Sequence, residues 1–131
     1  DCAALTPDGD AVVFSQALPQ ARPGEQARTR LSLRPLADPQ PAADRWSLDL
    51  ACWVWDEAAF LPGGRFVLAE LTYTFRRSPF THRWVVRDLA TGHELVASPN
   101  LGREAAQATV PPDGRWVAGV HTKHLVAWQA D

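Results

Sequence analysis

An all-β fold is what this 131-residue sequence predicts, and three observations predict it. Tight-turn sequences recur between apolar runs, the runs alternate with period two, and no segment holds an amphipathic helical pattern for three turns. The turns are Thr6-Pro7-Asp8-Gly9, Leu61-Pro62-Gly63-Gly64 and Pro112-Asp113-Gly114. Proline presets φ at the first corner of a tight turn and glycine accepts φ > 0 at a later one, so each reads as a hairpin.

The elements follow in order. A first strand precedes each turn, at Ala3-Ala4-Leu5, at Ala58-Ala59-Phe60-Leu61 and over 106–110. A second follows it, at Ala11-Val12-Val13-Phe14, at Arg65-Phe66-Val67-Leu68-Ala69 and over 115–120, where β-branched and aromatic residues favour extended chain. Third strands are read over 29–34, 83–87 and 124–128, and fourth strands over 45–50 and 93–97. Gly9, Gly64 and Gly114 close the turns at separations of 55 and 50 residues. That spacing is the mark of a repeat architecture, with units at about 1–50, 51–98 and 99–131, the last without its fourth strand.

The stretch Val85-Val86-Arg87-Asp88-Leu89-Ala90-Thr91-Gly92-His93-Glu94-Leu95 resembles the third strand, turn and fourth strand of a WD40-type β-propeller blade. The Pro-Asp-Gly turns resemble that family's link from first to second strand. Arg87 stands where the family's Trp-Asp pair has tryptophan, and no Gly-His dipeptide precedes a first strand, although Gly102-Arg103 lies near that place in the third unit. The likeness is therefore to divergent, bacterial-type WD40-like repeats. It implies blades that are four-stranded antiparallel meanders, about two and three-quarter of them, in an incomplete propeller. Because blades close into rings of roughly four to eight, the expectation is a segment of a larger propeller, or copies that assemble to complete one.

The composition narrows the function classes. With 46% hydrophobic and 21% charged residues and a net charge of -2, the chain has the profile of a globular domain rather than a disordered or membrane one. The near-neutral balance argues against electrostatic capture of nucleic acid. No signal peptide is visible, a cytoplasmic location is favoured, and the lack of methionine reads residue 1 as a processing site or a boundary within a longer sequence. Cys2 and Cys52 form no metal-ligand spacing; buried free thiols are the reading, with a disulfide between them as the alternative.

Strand order sorts the loops onto two ends. The tight turns share one end; the longer loops, over 17–28, 76–82 and 122–123, share the other with the links between units. Long loops on a rigid scaffold are where binding is placed. The candidate interaction surface is Arg76, Arg77, Phe80, His82 and Arg83, joined by His121 and His124. Its arginines and aromatic would grip an acidic peptide or a phosphate; the plainer reading is a solvated loop turned by Pro79. The three histidines lack a recognised ligand spacing, so no metal, cofactor or catalytic residue is assigned. Asp8 and Asp113 are read as turn residues, and no nucleophile elbow or phosphate-binding loop is present. Trp84, Trp116 and Trp128 are expected to pack between units, and Trp53 and Trp55 to fill the gap between the first two, with an aromatic patch for a ligand as the alternative.

The expected function is a non-catalytic protein-interaction scaffold that binds a protein or peptide through the long-loop end. Neighbouring blades, of the same chain or an oligomer, are its structural partners. Two other classes stay open: an enzymatic or cofactor-holding propeller with its active residues on other blades, and a self-assembling unit.

Overall fold

The computed structural model describes residues 2–20, 22, 24–37, 43–72, 81–101, 109–121 and 124–130. Among these there is no helix, and the strands form three antiparallel sheets. The first sheet runs in chain order through β1 (Cys2–Leu5), β2 (Ala11–Leu18), β3 (Arg28–Pro35) and β4 (Trp46–Leu50). The second does the same with β5 (Trp53–Leu61), β6 (Arg65–Thr72), β7 (Thr81–Asp88) and β8 (Glu94–Ala97). In the third, β9 (Trp116–His121) pairs with β10 (His124–Gln129), and Thr109 forms an isolated bridge to Ala118 on the other side of β9.

The turn chemistry places the hairpins where the sequence puts them, but strand lengths differ. β2 and β6 extend to Leu18 and Thr72, past the expected ends at Phe14 and Ala69, because the alternation continues in the cross-strand ladder. β5 begins at Trp53, so Trp53 and Trp55 lie within a strand rather than in a link, and a register shift between Trp55 and Ala59 absorbs the extra length. Trp53 is 47% exposed and does not fill the gap between the sheets. Residues 102–108, with most of the expected first strand of the third unit, lie outside the described residues.

Successive residues of a strand point to opposite faces, and β6 is buried on both. Phe66 and Leu68 join Ala11, Val13, Leu31 and Leu33 in the core between the first and second sheets. Val67 and Ala69 point the other way and join Trp84, Val86, Val117 and Ala130 between the second and third. The three sheets therefore stack in series with the second in the middle. Trp84 and Phe66, both 0% exposed, are the largest fully buried side chains.

Two turns set how closely the sheets approach. At Gly92 (φ 77°) a Cβ would lie 2.8 Å from the Trp46 ring and 2.9 Å from Leu48, so the β7–β8 turn sits flush against β4. The Trp46 indole N–H seals that contact by donating to the Leu89 carbonyl at 2.8 Å. At Gly114 (φ 66°) a Cβ would overlap the Pro62 ring, which brings the turn before β9 onto the β5–β6 turn. Replacing Gly114 by Val combines a disfavoured φ with that overlap. We expect a loss of at least ~2 kcal/mol in chemical denaturation; unchanged stability would refute the turn geometry.

Candidate interaction surfaces

Of the residues expected at the long-loop end, Arg76, Arg77 and Phe80 lie outside the described residues. His82 is not a surface group. Strand β7 starts at Thr81, and His82 shares the parity of Trp84 and Val86, so its side chain turns inward and is 0% exposed. Its backbone N–H donates to Asn100 Oδ1 at 3.1 Å, and its carbonyl accepts from the Leu101 N–H at 2.7 Å, strapping the segment after β8 across β7. Arg83 is half-buried and lies opposite Glu70 in the ladder. His121 and His124 are direct cross-strand partners at the end of the β9–β10 hairpin. Among the described residues, no group of three His, Cys, Asp or Glu is placed to hold a metal ion.

The acidic turn residues behave as local structure. Asp8 accepts the Asp10 N–H at 3.0 Å and Asp113 the Arg115 N–H at 3.2 Å, each closing its own turn. The Thr6 hydroxyl, together with the Asp10 amide, holds the Asp8 carboxyl below its ordinary value. An exposed charged cluster that the sequence reading missed lies beside the long-loop end of the first sheet. Arg30 Nε meets Asp49 Oδ1 at 2.8 Å and Arg28 Nη2 meets Oδ2 at 3.4 Å, and Arg30 is the main cause of the lowered Asp49 pKa. Period-two spacing of Arg28 and Arg30 was the available signal.

A second missed group is buried. Arg87 donates from Nε (2.8 Å) and Nη2 (2.6 Å) to Glu70 Oε1, and from Nη1 to the Gly92 carbonyl at 3.0 Å. Both side chains are 6% exposed. They project on the side of β6 and β7 that faces the first sheet, and Cys52, also buried, lies against them. The Cys52 carbonyl accepts the Thr29 hydroxyl at 2.7 Å, tying β3 to the start of the second sheet. Cys2 is half-buried, and both thiols are free. Burial first, and then the Glu70 charge, push the Cys52 thiol up to about 12. The thiolate is the reactive form, so at neutral pH this sulfur keeps its proton and the cluster is structural chemistry rather than a nucleophile.

At the tight-turn end an open groove of about 420 Å³ runs across all three sheets, walled by Pro7, Phe60, Pro62, Leu89, Val110 and Pro111. A wider hollow of about 540 Å³ lies on the outer side of the first sheet, where the Arg34 guanidinium stacks 4.8 Å from the centre of the Phe14 ring. Comparison of the chain with protein-family models, with curated proteins and with solved structures finds no match in any of the three.

Two outcomes follow from the buried cluster. Glu70→Gln leaves Arg87 charged in a dry site, and should cost about 3–5 kcal/mol, whereas Glu70→Leu with Arg87→Met should cost much less; equal losses in urea denaturation would contradict the pairing. The raised Cys52 pKa stabilises the fold below the unfolded thiol value of 9.0, and that contribution is lost as pH rises from there toward about 12. Unfolding free energy should fall by up to ~1.4 kcal/mol per pH unit over that range relative to Cys52→Ala. Parallel curves for the two proteins would show that the thiol ionises freely in the fold.

Proposed function

We propose that the chain is a non-catalytic interaction scaffold of WD40-like propeller blades, and that it binds a protein or peptide through its long-loop end. The observation that supports this most directly is the serial stack of chain-ordered antiparallel sheets, each meandering from strand to neighbouring strand. Such a stack is rigid between sheets and leaves the loops at its ends free to carry specificity. The buried Glu70–Arg87–Cys52 cluster is closed to water and offers no open site for chemistry. Arg76, Arg77 and Arg83, expected at the long-loop end from the sequence, suit an acidic partner, because guanidinium groups grip carboxylates and phosphates bidentately.

The test compares capture from a lysate by the wild-type chain, by Arg76→Glu with Arg77→Glu, and by Arg115→Glu at the tight-turn end. The first variant should melt at the parental temperature and lose the partner that the second retains. Retention by both, or loss of folding in the double variant, would remove the long-loop end from the proposal.

A further inference from the structure

The first and third sheets are built alike: the first two strands correspond at an offset of 105 residues, and β10 corresponds to β3 at an offset of 94. Asp8 and Asp113 close equivalent turns, since Gly9 N–H donates to the Thr6 carbonyl at 2.8 Å and Gly114 N–H to the Pro111 carbonyl at 3.0 Å. The ladders follow the same two offsets. Ala4 pairs with Val13 as Thr109 pairs with Ala118. Val13 pairs with Leu33 as Ala118 pairs with Ala127, and Ser15 with Leu31 as Val120 with Leu125.

Equivalent positions have opposite fates. In the first sheet Ala11, Val13, Leu31 and Leu33 are 1%, 2%, 0% and 3% exposed, because the second sheet covers them. Their counterparts in the third sheet face away from the second. Trp116 is 44% exposed, Leu125 is 77% exposed, Ala127 is exposed and Ala118 is half-buried. The reverse holds on the other side. Val110 and Val117 of the third unit pack against the second sheet, Val117 at 0% exposure. Their counterparts Leu5 and Val12 lie on the outer side of the first sheet, Leu5 at 62% exposure.

The chain thus carries both halves of its own sheet-to-sheet contact, one on each outer face. We propose that a second copy of this chain docks head to tail, the outer face of its first sheet seated on the outer face of the third. The contact continues the two internal ones, and the strand-by-strand equivalence sets which residues meet. Trp116 replaces the small Ala11, and the hollow of about 540 Å³ beside Val12 and Phe14 gives that larger ring room. The contact is heterologous, using different surfaces on the two partners. Two copies would bring six sheets together, within the roughly four to eight that close a ring of this kind. This inference rests on the stacked-sheet half of the proposed function and not on the long-loop end, so the two tests fail separately.

Sedimentation equilibrium on the 131-residue chain, with Leu125→Arg and Leu5→Arg, decides it. Both side chains are mostly exposed, so neither change disturbs the fold of one copy. The wild type should show a mass of at least twice 14.4 kDa, and each variant alone the single-copy mass. Mixed one to one, the variants should form a pair, because one keeps an intact first-sheet face and the other an intact third-sheet face. That complementation also proves both variants folded. A wild type that stays at 14.4 kDa at every concentration overturns the proposal, and would leave both faces to sheets of a longer chain. Self-association that Leu125→Arg abolishes and Leu5→Arg does not overturns it too, since the third sheets would then be meeting each other.

Discussion

The structure depends on one constraint: the second sheet has two apolar faces, and both have to be covered at once. Along β6, Phe66 and Leu68 point one way and Val67 and Ala69 the other, with every residue from Phe66 to Glu70 buried. Each large side chain in that position is worth about 1.5–3 kcal/mol when removed from water. A lone four-stranded meander cannot collect that stabilisation, because a flat sheet hides neither face by itself. Flanking sheets of the same design can, and the two core clusters show them doing so. Stacking of sheet on sheet is therefore the source of stability rather than a later assembly of finished domains.

Close packing at the turns fixes the spacing of the stack. Gly92 against Trp46 and Gly114 against Pro62 leave no room for a side chain, so the tight-turn end is drawn together more firmly than a general apolar contact would require. The polar interior adds direction. A buried ion pair is weak evidence for net stability, since desolvation offsets much of its attraction. Glu70 and Arg87 nevertheless join β6, β7 and the β7–β8 turn through three hydrogen bonds.

Much of this was legible because turn chemistry is local. The turns at 6–9, 61–64 and 112–114, with alternation around them, located the hairpins within a few residues. What the sequence concealed is relational. The Glu70–Arg87 pair joins positions 17 residues apart, and nothing in either neighbourhood announces the other until the β6–β7 register is set. Because Arg76, Arg77, Ser78 and Pro79 precede it, the sequence puts His82 in a polar loop; the β-branched Thr81 starts the strand instead, and parity then carries the imidazole inward. Trp53 was expected to fill a gap between sheets, but the register shift within β5 leaves it half-exposed at the strand's start. The candidate loop end is legible only as composition, and Arg76, Arg77 and Phe80 lie outside the described residues.

Amide hydrogen exchange read residue by residue tests the serial stack most directly. If the second sheet is covered on both faces, the amides of Phe66 to Ala69 and Trp84 to Val86 exchange only through global unfolding, and more slowly than those of β1 and β10. Exchange of the β6 amides as fast as those of β1 and β10 would mean that one face of the second sheet stands open to water, and the account of the fold would be wrong.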